Sequence, residues 1–99
     1  MVKSLLKNHI SMDNLDKLKI ALKQKLAPDF TAGLVNLRNN LNLNSKKFDE
    51  LIGIQFRYAR IMEALHHGVI TFDEAQIQLN KIFEATMYVI NNLLEEDLA

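Results

Sequence analysis

One marked turn divides the second half of the chain into two long helical patterns, and that junction restricts the possible folds more than any other stretch. His67-Gly68-Val69-Ile70-Thr71-Phe72-Asp73-Glu74 supplies Gly68 to end one helix in the left-handed region and a Thr71-x-x-Glu74 capping box to begin the next. Before the turn, Phe48, Leu51, Ile52, Phe56, Tyr58, Ala59, Met62 and Leu65, extended by Ile54 and Ile61, form a wide apolar arc. Only a narrow strip of Gly53, Arg57, Arg60, Ala64 and His67 interrupts it. A helix so nearly apolar all round is expected to be central and covered on several sides. After the turn, Ala75, Leu79, Ile82, Phe83, Thr86, Ile90, Leu93 and Leu94 share a face, which predicts a helix continuing to about Glu95, roughly 35 Å long. Ile77 and Tyr88 project together from its outer side. Either an earlier helix covers them or they belong to an interface.

The first half carries shorter patterns. Val2, Leu5 and Leu6 fit one side of a short helix ending near His9, and Asp13 is placed to cap the next, with Leu15, Leu18, Leu22 and Leu26 as its stripe. That helix stops before Pro28, and Asp29 restarts another with Phe30, Leu34, Leu37 and Leu41 turned inward. Asn39, Asn40, Asn42 and Asn44 favour turns, so residues 42–45 form the connection, and Asn44 or Ser45 caps the helix that follows. With three Gly and one Pro in 99 residues, the chain is expected to be a single all-α domain, residues 1–99. Its architecture is a compact antiparallel bundle of five to six helices with a long C-terminal helical hairpin and no sheet.

Composition excludes several chemistries. The chain has no Cys, so disulfides, thiolate metal sites and cysteine nucleophiles are absent. His66 and His67 diverge by about 100° on a helix and have no third ligand at i+3 or i+4. Ser4, Ser11 and Ser45 lack a nucleophile elbow, and Gly33, Gly53 and Gly68 stand alone, with no phosphate-cradling loop among them. The reading is a protein without catalysis, metal or cofactor. No run approaches the roughly 18 apolar residues that span a bilayer, and Met1 to Lys7 lacks a secretory core, so a cytoplasmic location is expected.

Formal charge is zero but unevenly placed. Residues 1–47 hold nine basic against three acidic side chains, a balance of +6, and residues 48–99 hold three against nine, a balance of −6. The two halves either interleave their charges on packing or present opposed surfaces suited to association between copies. In the second case Lys17, Lys19, Lys23 and Lys25 with Ile20 lie on one side, and Glu63, Glu84 and Glu95 on the other, with Ile77 and Tyr88 as apolar contacts. Phosphate binding by the lysine-bearing helix is the alternative, giving a small nucleic-acid-binding protein. The segment from Lys17 to Lys25 has neither Arg nor interleaved aromatics to support it.

The turn and the helix after it resemble a known family. Gly68-x-Ile70-Thr71-x-Asp73-Glu74, followed by Asn80-Lys81-Ile82, is similar to the G-x-I-[ST]-x-[DE]-E…N-[RK]-I pattern of the bacterial effector-associated, death-like domains. Phe56-Arg57-Tyr58-Ala59-Arg60-Ile61 resembles their arginine-bearing helix. The similarity is good over Phe48 to Leu94 and loose over Asp13 to Lys47. It implies a death-like bundle that pairs with like domains, on itself or on a partner attached to an effector, and acts as an adaptor in bacterial conflict systems. Death folds have six helices where the pattern here supports five. Gly68, Thr71 and Glu74 are capping grammar, whereas Arg57 and Asn80 are polar positions beside the core arc that helix rules do not require. Both are expected to bind groups that fix the two helices together.

Overall fold

The computed structural model describes the backbone of residues 2–99 and the side chains of residues 14–99. Four α-helices follow one another: α1 Val2–Leu26, α2 Phe30–Asn39, α3 Lys46–His66 and α4 Phe72–Asn91. A 3-10 turn, Glu95–Asp97, follows them. The expected five to six helices become four because the two predicted before Pro28 are one, with Asp13 inside α1 and not at its start. Ile10-Ser11-Met12 contains neither Gly nor Pro, and extending a helix costs less than nucleating another. The proposed inward side of Val2, Leu5 and Leu6 lies outside the described side chains.

Local signals fix most boundaries. Ala27 precedes Pro28, whose ring disfavours helical backbone before it, and α1 ends at Leu26. Asp29 caps α2 by accepting from the Ala32 N–H at 3.1 Å, and Ser45 caps α3 by accepting from the Lys47 N–H at 3.1 Å. Asn42 closes a turn by accepting from the Asn44 N–H at 3.0 Å. Thr71 caps α4 by accepting from the Glu74 N–H at 3.1 Å.

Gly68 sits in the left-handed region at φ +69° with open space around it. Gly68→Ala is therefore expected to lose about 1 kcal/mol through backbone strain alone, without a steric clash. A urea midpoint unchanged from the parent would contradict this.

Each helix packs against its predecessor, and α4 also packs against α1, so the four surround one core. Leu22 and Leu26 of α1, Leu34 and Leu37 of α2, Leu51 and Ile54 of α3, and Ile82, Val89 and Ile90 of α4 are buried in it. Helices α3 and α4 run in opposite senses, since Gly53 faces Ala85 and Val89 while Ile61 and Ala64 face Ile70 and Gln78. Thr86, fully buried, satisfies its hydroxyl by donating to the Ile82 carbonyl at 2.8 Å.

Two sequence expectations about this half need correction. The central, enclosed position expected for α3 is not observed: Phe56 is 68% exposed, and Ala59 and Met62 are exposed beside it. Helix α3 packs against α4 and α2 and leaves this side open. Nor does the chain end in a long helical hairpin. Helix α4 stops at Asn91, where the Asn92 side chain bonds back to the Tyr88 carbonyl at 2.8 Å. The next residues leave the helix, so Leu93 is buried and Leu94 is exposed, although one continuous helix would have turned both inward.

The tail is fastened to the connection between α2 and α3. Leu98 forms an isolated antiparallel bridge with Leu41. The Asn42 N–H donates to the Asp97 carbonyl at 2.8 Å, and the Ala99 N–H to the Asn40 carbonyl at 3.0 Å. Asp97 is 8% exposed, and its carboxylate accepts from Ser45 Oγ at 2.8 Å, Lys47 Nζ at 2.9 Å and the Leu94 N–H at 2.9 Å. The Lys47 bond, helped by those from Leu94 and Ser45, outweighs the opposing effect of burial and lowers the Asp97 pKa to about 2.

Candidate functional site

Helices α1 and α2 make one extensive contact and α3 and α4 another, with thinner contacts joining the two pairs. This pairing turns the charge division of the sequence into a division of space. Among residues 14–40, on α1 and α2, five cations face two acids; residues 41–99 hold five cations and nine acids. The α1–α2 pair is basic, whereas α3 and α4 carry five cations and six acids, and Glu95 and Asp97 of the tail lie against α1 and the α2–α3 connection.

On α1, Lys17 and Lys25 lie on one flank and Lys19 and Lys23 on the other, at about 100° per residue. Ile20 stands between the flanks, opposite Leu22, and is 55% exposed. Lys19 reaches across to the Asn91 carbonyl at 3.2 Å, where the C-terminal end of α4 favours a cation. Lys17, Lys23 and Lys25 form no ion pair among the described residues. The lysines therefore surround an apolar point and do not form a single track. Across the molecule, Glu63 on α3 and Glu84 on α4 are exposed, whereas Glu95, also exposed, is not with them as expected and lines a depression with Leu15 and Leu18 of α1.

Ile77 and Tyr88 are 60% and 67% exposed, so no earlier helix covers them. They stand on the α4 wall of a trough that runs between α3 and α4. Three solvent-open depressions share Arg57 and make up the trough. Gly53, Ala64 and Ala85 keep its floor low, and Arg57, Arg60 and Lys81 bring cations to it. An open trough does not enclose a small molecule as substrate pockets do. It does offer a long, mixed surface to another protein.

Arg57 and Asn80 do not tie α3 to α4. Arg57 is exposed and makes no hydrogen bond among the described residues. Asn80 accepts from Gln76 Nε2 at 3.1 Å within its own helix. Both lie off the buried stripe, so neither side chain is desolvated enough to require a partner on the other helix. The Glu74 backbone N–H is held by Thr71, while its side chain lines the trough. The imidazoles of His66 and His67 are exposed and meet edge to face, with centroids 5.6 Å apart. Among the described residues no group of three His, Asp or Glu is placed to hold a metal, and no helix is long and apolar enough to cross a membrane.

Sequence patterning did not reveal the trough or the Ser45–Lys47–Asp97 cluster. The trough forms from small residues whose significance depends on the helix opposite them. The cluster joins positions 50 and 52 residues apart. The exposed Phe56 was misplaced because apolar periodicity reports what a helix can bury, not what its neighbours cover.

The sequence model of one family, described as effector-associated domain 11, matches residues 1–93, a span that contains all four helices. No curated protein and no solved structure matches the chain.

Proposed function

This chain belongs to the effector-associated domain 11 family, and from that membership we propose that it is a non-enzymatic, death-like adaptor of the bacterial cytoplasm. It associates with like domains, copies of itself or a death-like partner carried by an effector, and so recruits or assembles effectors in a defence or signalling system. The observation that carries this reading is the separation of charge between the two helix pairs, with Lys17, Lys23 and Lys25 forming no ion pair among the described residues around Ile20, and Glu63 and Glu84 exposed opposite. Surfaces of opposite sign on one protomer favour head-to-tail contact and penalise contact between like faces.

Light scattering across protein and salt concentration tests it. Association is expected at low ionic strength and is expected to weaken by about tenfold or more as salt approaches 0.5 M, where screening is nearly complete. A Lys17→Glu/Lys25→Glu variant should be monomeric alone and should pair with a Glu63→Lys/Glu84→Lys variant. A protein that is monomeric under every condition and retains no death-like partner would overturn the reading. Steeply salt-dependent DNA or RNA binding would favour phosphate recognition by α1 instead.

A further inference from the structure

Helices α3 and α4 carry five cations and six acids. Lys46 and Lys47 stand at the start of α3, where Lys47 holds Asp97. The other three, Arg57, Arg60 and Lys81, all line the trough between α3 and α4. None forms an ion pair among the described residues, although Glu50 and Glu74 stand at its edges. At its floor, a Cβ built on Gly53 would meet nothing within 4 Å. Ile77 and Tyr88 add exposed apolar surface along α4. Between Gly53 and Ala64 the trough is roughly 17 Å long, about three helical turns.

We propose that this trough is the docking site for an acidic amphipathic helix of a partner protein. Its apolar stripe would lie over Gly53 between Ile77 and Tyr88, and its carboxylates would meet Arg57, Arg60 and Lys81. The length and the row of uncommitted cations match a helix laid in a groove with charges flanking its apolar anchors. Charge selects the occupant. Helix α1 of a second copy would set its lysines against these three cations, and like charges brought together reject a partner. Glu50 and Glu74 line the same depressions, so the three cations outnumber the acids of the lining by one. The trough adjoins the acids proposed for association between copies, since Glu63 shares a depression with Arg60 and Glu84 lies on α4 between Ile77 and Tyr88, but its cations are different side chains.

The test uses the full chain, labelled with 15N and titrated in about 0.1 M salt with a synthetic helical peptide of Leu, Ala and Glu about 14 residues long. A second peptide carries Lys in place of every Glu. The acidic peptide is expected to bind at least about tenfold more tightly and to shift the resonances of Gly53, Arg57, Ile77 and Tyr88. Gly53→Leu, whose Cβ would meet nothing within 4 Å, occupies the floor and should weaken binding by about tenfold, as should Arg57→Glu, with circular dichroism and thermal midpoint retained. Association between copies, read by light scattering, should be unchanged by Gly53→Leu. Equal binding of the two peptides, shifts confined to other surfaces, or full binding by Gly53→Leu would each overturn the proposal. Loss of self-association in Gly53→Leu would also overturn it, by making a second copy the occupant.

Discussion

Gly33→Ala is expected to destabilise the protein by about 2 kcal/mol, although alanine is the better helix former by about 1 kcal/mol. A Cβ at Gly33 would lie 2.6 Å from both Cα and Cδ2 of Leu26 and 2.9 Å from its backbone N. The side-chain atom can rotate away, but the backbone atoms cannot. Relief therefore requires α2 to withdraw from α1, opening the core where Leu22, Leu26, Leu34 and Leu37 meet. Gly53→Ala is the control. It places the same methyl group in a helix interior with nothing within 4 Å, and should stabilise by about 0.5–1 kcal/mol. Urea denaturation of the two variants decides between the effects by sign. If both gain stability, the close approach of α1 and α2 is wrong.

Removing the Asp97 carboxylate should have an effect of similar or larger size. In Asp97→Ala, Lys47, Ser45 Oγ and the Leu94 N–H lose their acceptor together. Leaving such a cluster without its central anion costs about 2–4 kcal/mol. The loss should release residues 94–99 from the connection between α2 and α3, which amide exchange at Asn42 and Ala99 reports directly. The same carboxylate predicts a pH dependence. Its pKa falls from 3.8 in the unfolded chain to about 2 in the fold, so its contribution is complete above pH 4 and is lost as pH falls toward 2. That contribution is at most about 2 kcal/mol. The stability of the parent should therefore fall toward that of Asp97→Ala across this window. Parallel pH curves for the two proteins would remove Asp97 as the cause.

Pro28, Asp29, Ser45, Gly68 and Thr71 made most helix boundaries legible, because capping and backbone restriction act within a few residues. The inward positions of Leu22, Leu34, Leu51, Ile82 and Ile90 were legible for a related reason, since helical periodicity puts them on one side. Asp13 misled because a good cap residue also tolerates a helix interior when nothing nearby breaks the helix. At the candidate surfaces, helix phase placed Ile20 opposite the buried stripe and Ile77 and Tyr88 together on the outer side of α4, but whether an earlier helix covered the last two depended on packing, which left them exposed. The trough that Ile77 and Tyr88 share with Arg57 and Lys81 did not.

By itself, then, the sequence determined an all-helical chain, the local stops and starts of its helices, and an unequal division of charge along its length. These depend on neighbours within one or two turns. Only the tertiary structure decided that α1 pairs with α2 and α3 with α4, which gathers the basic excess on one helix pair. Packing likewise left one side of α3 open and brought Asp97 to Ser45 and Lys47. Such contacts join residues far apart in the chain, and each depends on how several faces share one core, which no single helix pattern specifies.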